Sequence, residues 1–183
     1  MNIVNGRLSG ARQLESPNCD DRPDCEISLI VIHNISLPEG HFGTPYIEQL
    51  FCNELRCEAH PDFRDLENIQ VSSHLLVKRD GAILQFVPFD KRAWHAGISI
   101  YRGREHCNDY SIGIELEGTD YMEYADIQYA VLADICQALT TTYEISITDI
   151  TGHCDIAPDR KTDPGPYFSW ERLYNLVGLV DQR

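Results

Sequence analysis

The sequence predicts an α/β domain built on a single mixed β-sheet of about five or six strands flanked by helices. Three observations carry that expectation. Residues 27–33 and 111–117 are short, β-branched runs of the kind that form strands at the middle of a sheet. A segment ending at Thr142 repeats apolar residues at every fourth position, as a helix laid on a core does. The chain of 183 residues, 43% hydrophobic and 24% charged, is long enough for one full core and shows no repeat, low-complexity tract or linker. One domain over 1–183 is therefore expected.

Residues 1–26 are polar, carry Pro17, Pro23 and an acidic cluster, and read as an extended arm laid over the domain. Residues 27–33 are an apolar strand that ends in His33, at the edge from which strand-borne groups reach a crevice in open α/β sheets. Thr44 and Pro45 open a helix as N-cap and first helical residue, with Tyr46, Leu50 and Phe51 on its buried face. Residues 53–70 are polar and irregular, a long loop. Two strands, 71–77 and 82–87, flank a tight turn at Arg79-Asp80-Gly81, where glycine accepts the positive φ a hairpin requires. Residues 94–97 and 101–109 are loops. Strand 111–117 alternates between a polar set (Ser111, Gly113, Glu115, Glu117) and an apolar set (Ile112, Ile114, Leu116). A helix starts at Asp120 or Glu123 and runs to Thr142 with Ile127, Val131, Ile135 and Leu139 as its buried stripe. Residues 145–152 form a strand leading to His153, and Ser169 caps a final helix carrying Trp170, Leu173, Leu176 and Val177.

Bulk properties narrow the function. A net charge of -14 argues against nucleic acid and against docking to an anionic membrane by charge. Seven cysteines, an odd number without a C-x-x-C pair, read as reduced thiols. The first residues lack the apolar core of a signal peptide and no run is long enough to span a bilayer, so a cytoplasmic location is expected.

The residues that could carry chemistry stand at the ends of these strands. His33, His153 and Asp163 make three ligands, the number a catalytic zinc keeps while leaving a fourth position for water. Pro164-Gly165-Pro166 would hold the Asp163 carboxylate rigidly. Cys154 is a tempting fourth ligand, but an extended backbone would turn it to the face opposite His153, so it reads as a packed thiol. Glu115 follows Gly113, whose missing side chain opens room on that face, and is the candidate general base. Glu117 reads as a solvated charge. Lys161 could stabilise an oxyanion, whereas Arg160 reads as a surface residue. Trp94 offers an aromatic face to a sugar, with His95 beside it on the substrate wall. For His74 and His95 a structural or supporting hydrogen-bonding role ranks ahead of direct ligation. There is no nucleophile elbow and no phosphate loop.

Six motifs in order then carry a resemblance: Val31-Ile-His-Asn-Ile-Ser36, Val71-Ser-Ser-His74, Arg79-Asp-Gly81, Arg92-Ala-Trp-His-Ala-Gly97, Ser111-Ile-Gly-Ile-Glu-Leu-Glu-Gly118, and Thr151-Gly-His153 with Lys161-Thr-Asp-Pro-Gly165. From about Pro23 to the final helix the chain resembles the zinc N-acetylmuramoyl-L-alanine amidases, which share a fold with peptidoglycan-recognition proteins. Within them it resembles most the cytoplasmic branch that acts on 1,6-anhydro-muropeptides in peptidoglycan recycling. The resemblance implies zinc on His33, His153 and Asp163, with Glu115 and Lys161 catalytic and Asn34 and Trp94 lining the muropeptide site. It implies hydrolysis of the amide between the lactyl group of 1,6-anhydro-N-acetylmuramic acid and L-alanine. A general amidase of intact peptidoglycan and a non-catalytic peptidoglycan-binding module are the alternatives. The expected partner is the anhydro-muropeptide, with no nucleic acid, stable membrane contact or protein partner, on a monomer. The chain departs from its relatives at Gln70 and His106, where they carry arginines associated with the stem peptide.

Overall fold

Hydrogen bonding in the computed structural model, which describes residues 1–178, explains why some of these segments form strands and others do not. An antiparallel hairpin of β1 (Ile3–Val4) and β2 (Arg7–Leu8) opens the chain, followed by β3 (Arg12–Gln13) and β4 (Cys19–Asp21). Next come β5 (Leu29–Ile35), helix α1 (Tyr46–Phe51), β6 (Leu75–Val77), β7 (Ile83–Gln85) and β8 (Lys91–Ala93). A second hairpin, β9 (Ile100–Tyr101) and β10 (Arg104–Glu105), precedes β11 (Ser111–Glu117) and α2 (Asp126–Tyr143). The chain continues through β12 (Ile150–Gly152), α3 (His153–Ile156) and α4 (Trp170–Gly178).

The central sheet has six strands in the order β12-β5-β11-β6-β7-β3. It is mixed as expected: β12, β5, β11 and β6 run parallel, and β7 turns back antiparallel to β6. β5 and β11 are buried on both faces. Ile30, Ile32, Ile112, Ile114 and Leu116 pack with α2 in the main core, while Leu29 and Val31 meet Ala96, Cys107, Tyr110 and Ile156 on the other side. That second face carries His33 and the polar set of β11, because side chains alternate along a strand.

Several boundaries differ from the sequence reading, each for a local reason. The arm is woven in rather than laid over: β3 is an edge strand of the main sheet, and β4 pairs with β8. Arg22 threads its guanidinium to the carbonyls of Phe89, Asn108, Asp109 and Ser111. Residues 71–74 do not join the ladder as a strand, since Ser72 and His74 send their N–H groups to Trp94 O and Gly113 O. Thr44 does not cap α1; its hydroxyl donates to Leu37 O, Pro45 takes the cap position, and Ile47 rather than Tyr46 is buried. Residues 53–70 contain two 3-10 turns, Cys57–Ala59 and Pro61–Leu66, around the buried Phe63. The expected α2 stripe holds at Ile135 and Leu139, with Val131 packed against the core, and fails at Ile127. Ile127 is 46% exposed and lies over the Gly81 turn, and Leu132, Ile135, Cys136 and Leu139 face the core. Its start is set by Gln128, whose side-chain oxygen accepts the Ala125 N–H. Residues 147–149 form a 3-10 turn, leaving three residues in β12. Ser169 does cap α4, accepting the Arg172 N–H.

Glu117 is the main reversal. It is 1% exposed, not solvated, because the loops at Gly43 and Arg79 close over the strand end and donate their N–H groups to its two carboxylate oxygens at 2.6 and 3.0 Å. Glu117→Gln exchanges one acceptor for a donor facing a backbone N–H. Urea unfolding should show a loss of about 1–3 kcal/mol, the cost of an unmade buried hydrogen bond. An unchanged midpoint would remove Glu117 from the fold's support.

Candidate metal centre

Three strand ends and one loop build the centre. Parallel pairing sets Glu115 beside His33 and Gly152 beside Ile32, so His153, the next residue, arrives next to His33. The chain turns sharply there. Asp155 accepts the Gly152 N–H and the Thr151 hydroxyl through Oδ2 at 2.9 Å each, which fixes the passage from β12 into α3. The Cys154 N–H donates to Asp163 O, anchoring the loop that returns Asp163 to the same spot.

His33 Nδ1 and His153 Nδ1 lie 2.9 Å apart, and Asp163 Oδ2 stands 3.0 Å from each. This is the one group of potential metal ligands that converges among the described residues. The donor set fits zinc. Four ligands at ~2.0–2.1 Å in a tetrahedron stand about 3.3 Å apart, and the triangle is slightly tighter. Tautomer chemistry makes the same point. His153 Nε2 donates to Ala96 O at 3.2 Å, so in the neutral ring Nδ1 is a bare acceptor facing a carboxylate oxygen, also an acceptor. A cation satisfies both. Burial pushes His33 down to about 4, which leaves its ring neutral and able to ligate at pH 7.

Glu115 lies beside this triangle, 9% exposed, and its Oε2 is buried with no hydrogen-bond partner among the described residues. Burial, and then the Asp163 charge, raise its pKa well above the carboxylate range, while Lys161 acts to lower it. A buried acid without a partner calls for an explanation, and proton transfer at a reacting centre supplies one. The half-buried Lys161 is therefore close enough to act on the same charges as Glu115 and His33.

Cys154 is no part of the group, although the premise that excluded it does not hold. Its segment is helical, so neighbouring side chains diverge by about 100° rather than alternating. Its thiol is pushed up to about 11, by burial and then by Asp155, and stays protonated at pH 7. Asn34 donates through Nδ2 to Asp120 Oδ1 at 2.8 Å. The half-buried Trp94 has its indole beside Asp20. His95 sits behind His33, with Nδ1 2.9 Å from His33 Nε2, rather than on an open wall. Its ring fills the room that Gly113 leaves: a Cβ there would lie 2.4 Å from it. His74 is structural, accepting the Gly113 N–H and donating to Lys91 O. Arg160 is exposed, yet it clamps Ala96 O and Ile98 O. Gln70 and His106 are exposed; Arg102 and Arg104, their nearest substitutes by charge, are paired with Asp149 and Glu26. The roles of Asp120, Asp155 and the Ala96 carbonyl carry no motif and were not visible in the sequence.

Comparison with known proteins places this geometry. The family model described as N-acetylmuramoyl-L-alanine amidase matches residues 23–166. The chain is 56% identical over 178 residues to the 1,6-anhydro-N-acetylmuramyl-L-alanine amidase AmpD of Escherichia coli (strain K12), covering 97% of each. It matches the crystal structure of an Se-Met AmpD derivative with a TM-score of 0.95 and 55% identity, over 97% of this chain and 99% of that one. It also matches AmiD from E. coli, solved with anhydro-N-acetylmuramic acid-L-Ala-D-γ-Glu-L-Lys, with a TM-score of 0.61 and 31% identity, over 89% of this chain and 60% of that one.

The triangle predicts one zinc per chain in a competitive chelator titration of metal-stripped protein. Asp163→Ala should keep the circular dichroism spectrum and lose stoichiometric zinc. A fully loaded Asp163→Ala protein would count against the assigned ligands.

Proposed function

The chain belongs to the N-acetylmuramoyl-L-alanine amidase family, and we propose that it hydrolyses the amide between the lactyl group of 1,6-anhydro-N-acetylmuramic acid and L-alanine, with zinc held by His33, His153 and Asp163. The observation that carries this reading is the buried ligand triangle with an unpartnered Glu115 beside it. Near-full-length identity to AmpD of E. coli supports the substrate class. A structural zinc site is commonly closed by four protein ligands; three converge here among the described residues.

Zinc bound at this triangle supplies a Lewis acid and lowers the pKa of a water from 15.7 towards ~7. Glu115 takes a proton from the attacking water as its oxygen adds to the lactyl carbonyl carbon. The ammonium of Lys161 stabilises the negative charge that develops on the carbonyl oxygen. Glu115 then delivers its proton to the alanine nitrogen as the C–N bond breaks, releasing a lactyl carboxylate and a peptide with a free amino group. Asn34 donates an amide hydrogen to Asp120, which turns its carbonyl oxygen toward a substrate N–H in this reading. Trp94 offers an apolar face to the sugar. No helix among the described residues is long and apolar enough to cross a membrane. A chain whose seven cysteines are free suits a reducing compartment such as the cytoplasm.

Lys161→Ala should lower kcat by about 10²–10³ while retaining zinc, the usual cost of one oxyanion donor; full activity would remove Lys161 from the mechanism. Because burial raises the Glu115 pKa, the group protonates at a higher pH than an ordinary carboxylate. The acid limb of kcat/KM should therefore lie above ~4.3, with activity falling as pH drops through it. Glu115→Gln should abolish the limb together with most of the rate; a surviving limb would place the base elsewhere. Mass analysis of products from anhydro- and ordinary muropeptides, with and without chelator, tests the whole reading. Chelator-resistant cleavage sinks the metal mechanism, and equal rates on both sugars sink the recycling role.

A further inference from the structure

Resting on that metal centre, we propose that the His95-Ala96 segment is a single support that fixes the orientation and tautomer of both ligand histidines, with Asn108 as its pin. The two ends of the segment serve different rings. The His95 side chain meets His33: Nδ1 lies 2.9 Å from His33 Nε2, with the ring planes at 87°. The Ala96 carbonyl accepts Nε2–H of His153 at 3.2 Å.

Ligation through Nδ1 requires each ring to carry its proton on Nε2, and both Nε2 atoms point at this segment. For His153 the partner is a carbonyl, which can only accept. For His33 the partner is an imidazole, which accepts only if its own proton sits on the far nitrogen. That nitrogen, His95 Nε2, lies 3.1 Å from Ser111 Oγ, whose lone pairs can accept the proton. Run from His33 through His95 to Ser111, as ligation through Nδ1 requires, this relay leaves His33 Nδ1 bare toward Asp163.

Three features hold the segment still. The N–H groups of His95 and Ala96 both donate to Asn108 Oδ1, at 3.1 and 2.8 Å. Arg160 donates to Ala96 O at 2.7 Å. Gly113 provides the volume for the His95 ring, which a Cβ at 2.4 Å would displace. His95 is thus a positioning residue; it acts through His33.

Competitive zinc titration of the full-length protein tests the role. His95→Ala should weaken zinc binding by about 10- to 100-fold, the usual effect of losing a partner that orients a metal-bound histidine. His95→Asn, which keeps an acceptor at the δ position, should recover most of that loss. Asn108→Ala, remote from both rings, should weaken zinc as well. At saturating zinc the KM for anhydro-muropeptide should be unchanged in all three. Nitrogen-15 spectra of the zinc-loaded protein should show His33 and His153 protonated at Nε2. Wild-type zinc affinity in His95→Ala and Asn108→Ala, or a raised KM with zinc affinity intact in His95→Ala, would overturn the proposal and return His95 to the substrate wall. A wild-type protein that binds no zinc in the same titration would remove the centre itself along with this role.

Discussion

The in-register parallel pairing of β5 with β11 is the constraint on which the rest of the site depends. It sets Glu115 directly beside His33, and the pairing of β12 with β5 then delivers His153 one residue beyond Gly152. A slip of one residue along β11 would turn Glu115 into the α2 core and bring an isoleucine or leucine to the metal face. Register is held from both sides. On one face Ile30, Ile32, Ile112, Ile114 and Leu116 are packed against α2; on the other, Leu29 and Val31 are packed against Tyr110 and Ile156. The apolar core therefore does chemical work at a distance, because it decides which side chains stand together.

Burial does the rest. The same exclusion of water that keeps His33 neutral raises the pKa of Glu115, so one environment prepares a ligand and a base. Crowding two imidazole nitrogens and a carboxylate oxygen within 3.0 Å is unfavourable for the bare protein. That cost is offset when a cation enters, and the hydrogen bonds of His153 to Ala96 O and of His33 to His95 hold the two rings in place. Lys161 adds a positive charge on the side of Glu115, where negative charge is to be handled during reaction.

The centre was more legible in the sequence than its supports. His33 follows an apolar run and His153 follows a Gly, so strand ends alone drew attention to them, and the alternation of β11 placed Glu115 on the face opposite Ile114. What strand periodicity could not reveal was which loops cover a face. Glu117 has the spacing of a solvated carboxylate, and only the closure of the Gly43 and Arg79 loops makes it a buried acceptor. The every-fourth spacing of α2 marks Ile135 and Leu139 as core but also includes Ile127, which packs on the Gly81 turn instead. His95 belonged to an irregular loop, where side-chain direction has no period, and the space left by Gly113 turned out to be reserved for its ring rather than for substrate. Cys154 was set aside for a reason that the helical turn of α3 replaces with another.

X-ray absorption of the zinc-loaded protein reads the identity of the ligands without reference to turnover. The expected spectrum has four nitrogen and oxygen neighbours at ~2.0–2.1 Å, two of them imidazole, with one position left to water. A sulfur neighbour at ~2.3 Å would bring Cys154 into the coordination sphere and contradict the assignment of His33, His153 and Asp163 as the complete protein ligand set.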